Sequence, residues 1–212
     1  MIFNIKQKKN KFIEENYESS MKELGEFYGI NWVINQPKVF IIKDRKDVEN
    51  VRGKKTEKWI IGWAYGFNHI YILDYDQIKK ERKNFSKKDY QMFIQHELSH
   101  LFSKIITKEG YQPVWLWEGV AIYTSGQNEI KIKLEKFNQL LSFYEDHKVG
   151  KENVYYESGF FVQMLVEKFG KAKFIKFLKS LQKIKNRKEF DNLFFKIYKF
   201  KLNYKEINKI YG

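Results

Sequence analysis

The chain has 212 residues, 43% of them hydrophobic and 18% aromatic, which is enough for one domain with a substantial core and excludes a disordered protein. It contains no cysteine, so a disulfide framework and a thiolate metal site are both excluded. Against 26 Asp and Glu stand 40 Lys and Arg, a net charge of +14, yet these cations are scattered through almost every segment and form no nucleic-acid module or concentrated arginine stripe.

In chain order, Ile13, Tyr17, Met21 and Leu24, with Phe27 or Tyr28, recur at helical spacing and predict a helix over residues 12–28 that Gly29 can close. After Pro37, the run Val39-Phe40-Ile41-Ile42 suits a buried strand, and Asp44 can cap a short helix through Val51. Residues 52–58 form a charged connection. Residues 59–65 and 69–73 then read as two strands around the turn Gly66-Phe67-Asn68, with His69 expected to serve the hairpin and not a metal.

Ser86 with Asp89 three positions on has the form of a capping box, and Ile94, Leu98, Leu101 and Ile105 mark one apolar stripe of the helix that follows. That stripe leaves His96 and His100, at i and i+4, together on another face. The intervening string is His96-Glu97-Leu98-Ser99-His100: two imidazoles one turn apart with a carboxylate beside the first, which is half of a zinc-hydrolase site. With only 4 His in the whole chain, chance is a poor explanation. Farther on, Glu118 stands in the otherwise apolar string Val114-Trp115-Leu116-Trp117-Glu118-Gly119-Val120-Ala121, where an unpaired buried carboxylate would be costly. A catalytic zinc takes three protein ligands and keeps an open position, and His96, His100 and Glu118 would supply the three. The bland alternative is a pair of helices whose histidines and Glu118 simply face water.

Gly119 and Ala121 are small enough to let this second helix approach the first. Residues 130–147 predict another helix, with Leu134, Phe137, Leu140 or Leu141 and Tyr144 apolar and His147 in solvent near its end. Residues 155–170 predict an apolar helix stopped by Gly170, and residues 174–181 and 190–211 predict Lys-rich amphipathic helices.

The two motifs together resemble those of gluzincin zinc metallopeptidases of the compact peptidase-MA-like kind, related in active-site plan to thermolysin and to aminopeptidase N. The Trp-Leu-x-Glu-Gly-x-Ala-x-Tyr string from Trp115 to Tyr123 matches the family's second motif at nearly every fixed position, and the separation of His100 from Glu118 is close to the family spacing. The resemblance implies an α+β, zincin-like fold in a single catalytic domain, 1–212, with a small mixed sheet in an N-terminal lobe (1–88), the zinc helix and a helical lobe after it (89–212), and a cleft between the two. It implies one Zn2+ per chain on His96, His100 and Glu118, with Glu97 as general base toward a zinc-activated water. It makes Gly62, Trp63, Ala64 and Tyr65 a strand that pairs with a peptide substrate. It also makes Tyr156, in Tyr156-Glu157-Ser158-Gly159, a donor to the developing oxyanion, preferred to Tyr155 by register.

Two departures from the family pattern matter. No acidic residue between Gly62 and Asn68 is present to hold a substrate's free amine, as aminopeptidases of this clan require, so internal cleavage is expected. Ile122 stands where thermolysin-like enzymes have an Asp that orients a ligand imidazole, so that role is unassigned. The expected function is zinc-dependent hydrolysis of peptide bonds in a peptide or protein substrate; the alternative is a basic binding or regulatory protein that keeps a metallopeptidase fold without turnover. No apolar run approaches a membrane span, and lysines interrupt residues 1–10 before a signal-peptide core could form. The expectation is a cytoplasmic protein without a transmembrane segment, with a mature secreted fragment as the alternative and the oligomeric state open.

Overall fold

Side-chain caps punctuate the chain and set where its helices begin. In a computed structural model, which describes residues 6–7, 9–149 and 152–212, Asn10 accepts a hydrogen bond from Ile13 N–H and opens α1 (Lys11–Tyr28), which Gly29 ends in the left-handed conformation. Strand β1 (Lys38–Ile42) leads through Asp44, the N-cap, into α2 (Arg45–Arg52). A hairpin of β2 (Gly62–Tyr65) and β3 (His69–Leu73) follows, and then a short helix that the sequence pattern did not announce, α3 (Tyr75–Glu81), capped by Asp74.

The three strands form one small mixed sheet in the order β1-β3-β2, with β1 parallel and β2 antiparallel to β3. Ile70, Ile72 and Leu73 of the central strand are fully buried, and β2 is left as a free edge. The architecture is therefore mixed α and β, dominated by helices around a small sheet.

Helix α4 (Lys87–Thr107) is the axis of the molecule. Ser86 accepts from Asp89 N–H while the Asp89 carboxylate accepts from Ser86 N–H, the reciprocal bonds of a capping box. Every residue from Ile94 to Ser103 is buried, because α1, the sheet edge and α5 (Val114–Thr124) pack around it. An amphipathic surface helix would leave one face wet; this one leaves none over those three turns, so its polar residues must all find partners or a ligand.

Helix α6 (Glu157–Phe169) packs on α5 at close range. A Cβ on Gly119 would lie 2.5 Å from Ser158 O, and one on Gly159 would lie 2.4 Å from Ile122 Cγ2. The smallness of Gly119 thus serves the approach of α5 to α6, and not the approach to α4 that the sequence suggested. Helices α7 (Lys171–Ser180), α8 (Arg187–Tyr198) and α9 (Tyr204–Tyr211) complete the chain. The single helix expected over residues 190–211 is broken at Lys199, whose φ of 66° ends α8, and Asn203 caps α9 afresh.

The helix expected over residues 130–147 does not form. Its backbone amides are claimed from outside: the buried Glu157 carboxylate accepts from Asn138, Gln139 and Leu140 N–H at 3.0, 3.1 and 2.7 Å, and Asn208 both accepts from Phe137 N–H and donates to Phe137 O. Leu134, Phe137 and Leu140 still enter the core, but from an irregular segment with a short 3-10 turn at Leu140–Ser142. Helical spacing of apolar residues was satisfied without a helix. Buried apolar residues from β1 to α9 join one contiguous core. No described helix is long and apolar enough to cross a membrane.

Candidate metal centre

One turn of α4 brings the His96 and His100 rings to 4.7 Å between centroids, nearly perpendicular, with their Nε2 atoms 3.1 Å apart. From α5, Glu118 Oε2 reaches to 3.2 Å from His96 Nε2 and 3.6 Å from His100 Nε2. The helices that carry them are pinned together beside the site. The Ser99 hydroxyl lies 2.8 Å from the Tyr28 hydroxyl of α1 and 2.9 Å from that of Thr124 in α5. Gln95 Nε2 donates both to Thr124 O and to Glu23, each at 3.0 Å. Trp117 stacks on the His100 ring at 4.5 Å and 8°, fixing its plane.

Three buried donor atoms that all lie within 4.8 Å of one another are a strong test of whether an ion fits. Tetrahedral ligands at zinc-like bond lengths of about 2.0–2.1 Å stand about 3.4 Å from each other. The three separations here are 3.1, 3.2 and 3.6 Å. Glu118 Oε2 is inaccessible to solvent and, although His96 Nε2 is 3.2 Å away, makes no well-formed hydrogen bond among the described residues. Two imidazoles and a carboxylate are also the donor set of a catalytic zinc site.

The electrostatics agree with a cation site. Burial opposes the charged form of Glu118, but the neighbouring imidazoles overcome it and hold the carboxyl well below the usual range. Burial pushes His100 down to about 3, leaving its imidazole neutral with a lone pair to offer. His96 is drawn the other way: burial would lower it, and the close approach and charge of the Glu118 carboxylate raise it. Burial pushes Glu97 up to about 7, with Glu118 adding and the His96 charge and a hydrogen bond from the Ala64 backbone opposing.

That bond to Ala64 joins the site to the sheet edge. Leu73 N–H donates to Ile61 O, so in the antiparallel ladder Gly62 and Ala64 fall at the alternate positions and turn their backbone groups to the free edge. Ala64 spends one of them on Glu97. A Cβ on Gly62 would lie 2.7 Å from the Phe93 ring of α4, so the glycine is needed for β2 to lie against the helix. Lys104 Nζ donates to Gly66 O at 2.8 Å and ties the turn of the hairpin to the same helix. Trp63 packs on Tyr71 and the exposed Tyr65 turns outward. Beside Gly62 opens a cavity of about 450 Å³ whose walls include Trp59, Phe85, Met92, Phe93, Glu97 and Tyr155.

The chain matches no protein-family model, and neither the curated proteins nor the solved structures contain a match to it. The site therefore stands on its geometry.

The structure brings together His96, His100, Glu118 and Glu97, and sets Gly62 and Ala64 of the expected strand beside them. It does not bring Tyr156. That residue is 43% exposed, and its hydroxyl donates to Ile132 O. The neighbouring tyrosine faces the site instead: Tyr155 lines the cavity, and burial raises its hydroxyl pKa, with the charges of Glu118 and Glu97 adding. Glu157 turns inward to hold residues 138–140, and Tyr156 beside it is turned outward, away from the position expected from Tyr-Glu-x-Gly.

Two more residues at the site were not foreseen. Gln127 Oε1 lies 3.1 Å from His96 Nδ1, the kind of contact that can orient an imidazole. His147, expected in solvent, has its Nε2 3.0 Å from Glu118 Oε1. Gln127 opens a short 3-10 turn three residues after α5 ends at Thr124, and no local pattern in the sequence marked either it or His147 as a site residue.

Proposed function

We propose that this chain is a zinc-dependent hydrolase of peptide bonds, acting on internal bonds of extended peptides, with a zincin-like arrangement of sheet edge and zinc helix as in the gluzincin peptidases that its motifs resemble. The observation that carries the reading is the buried triangle of His96 Nε2, His100 Nε2 and Glu118 Oε2, with Glu97 beside it in a cleft bounded by the open edge of β2. Zinc held there supplies a Lewis acid and lowers the pKa of a water toward neutrality.

The protein's own groups then have distinct tasks. Glu97, one residue beyond His96 and so turned about 100° around the helix, is placed to accept a proton from the attacking water and not to ligate. The outward N–H and C=O of Gly62 and the remaining outward C=O of Ala64 offer an extended substrate hydrogen bonds of an added strand. Tyr155 keeps its proton and can donate to the carbonyl oxygen as negative charge develops there. Residues Trp59, Phe85, Met92 and Phe93 give the cavity an apolar wall that excludes water from a bulky side chain.

A proteome-derived peptide library incubated with the zinc-loaded protein, with Glu97→Gln as control, tests this. The expected result is cleavage by the wild type, lost by several orders of magnitude in Glu97→Gln while one zinc per chain is kept. Stoichiometric zinc in both proteins with no cleavage by either would favour the binding-protein alternative.

A further inference from the structure

Oε2 of Glu118 is accounted for by the metal reading, but its other oxygen is held by a residue with no assigned task. Oε1 lies 3.0 Å from His147 Nε2. A carboxylate only accepts, so this nitrogen carries the proton and donates.

His147 is not a stray surface group that has drifted into range. The segment before it is docked on the start of α5, where Val114 and Trp115 N–H, which have no partner within their own helix, donate to Tyr144 O and Phe143 O at 2.9 Å each. Phe143 and Tyr144 are themselves buried. On the other side, Val154 N–H donates to His147 O at 3.0 Å, closing the base of the small hairpin of β4 (Lys148–Val149) and β5 (Glu152–Asn153). The backbone of His147 is thus fixed from both directions next to the helix that carries Glu118. Glu118 is 4% exposed, so the bond is shielded at that end, although His147 is about half exposed.

Nor does the histidine join the ligand set. Among the described residues only His96, His100 and Glu118 offer atoms that all lie within 4.8 Å of one another. We propose that His147 is a positioning residue for Glu118: by donating to Oε1 it fixes the carboxylate so that Oε2 alone faces the ion, and the position a second oxygen would occupy stays open for water or substrate. This rests on the metal reading of the site. The physical reason is that a carboxylate can bind through one oxygen or two, and a donor on the outer oxygen both removes the second mode and stops rotation about the terminal torsion.

The test is zinc affinity by chelator competition, together with the absorption spectrum of the cobalt-substituted protein, for the wild type, His147→Ala, His147→Gln and His96→Ala. His147→Ala should weaken zinc binding by about 10–100-fold, the size typical of losing a group that orients a ligand, and shift the cobalt bands toward the weaker absorption of a higher coordination number. His147→Gln, whose amide can still donate to Oε1, should recover part of both. Melting of the chelator-treated proteins should be unchanged, since a half-exposed side chain is removed. Wild-type zinc affinity and an unaltered cobalt spectrum in His147→Ala would overturn the positioning role alone, provided His96→Ala loses the ion. Wild-type binding in His96→Ala would overturn the metal site and the role with it.

Discussion

At the scale of single residues, the site turns on which of two adjacent tyrosines faces it. Tyr155 lines the cavity near both Glu97 and Glu118, and Tyr156 spends its hydroxyl on Ile132 O. Removing only the hydroxyl separates the two: Tyr155→Phe should lower kcat by about 10²–10³ with zinc content unchanged, whereas Tyr156→Phe should stay within a few-fold of the wild type. The reverse outcome would restore the register read from the sequence. Lys131 offers a second test at this scale. Its ammonium donates to Tyr155 O at the cavity wall, and burial lowers its pKa from 10.5 to about 8. Between about pH 8 and 10.5 the folded chain has shed this proton while the unfolded chain keeps it. The unfolded state then binds more protons, so the Lys131 contribution to stability rises with pH across that window. Denaturant melts at pH 7.5 and 10 should show this rise in the wild type relative to Lys131→Met; equal slopes in the two proteins would show that Lys131 titrates normally.

At the scale of elements, glycines set the contacts that hold the site together. Gly62 lets β2 lie on Phe93 of α4, and a Cβ there would also meet Tyr71 O at 2.4 Å. Gly62→Ala should cost about 1–3 kcal/mol, read as a lower melting temperature, and should reduce turnover more than zinc affinity because β2 moves relative to Glu97. Unchanged melting would mean that the strand has slack. How much of these elements could be read in advance follows from where their hydrogen bonds go. Helix α4, with Ser86 and Asp89 at its start and both histidines in one turn, satisfies its own backbone, so local pattern sufficed. Residues 130–147 do not: the amides of residues 137–140 belong to Glu157 and Asn208, farther along the chain, and no local pattern announces a partner at that distance. His147 was out of reach for the same reason, since its segment is docked on α5 by the bonds from Val114 and Trp115 N–H to Tyr144 O and Phe143 O, and Gln127 meets His96 through a contact between residues far apart in the chain.

At the scale of the whole molecule, a helical body around α4 carries a small sheet in which β2 is an edge strand, and the +14 charge is spread over the chain. On the proposed function, an edge strand with no carboxylate between Gly62 and Asn68 to seize a free amine should accept the interior of a peptide. Acetylating the N-terminus of a cleaved peptide should therefore leave its hydrolysis largely intact; strict dependence on the free amine would mean an exopeptidase. All of this presupposes the ion. The most direct measurement is the zinc content of the purified protein by mass spectrometry of the metal, for the wild type and for His100→Ala. One zinc per chain in the wild type and none held tightly in His100→Ala is the predicted result. One tightly held zinc per chain in His100→Ala would place the metal elsewhere and contradict the account.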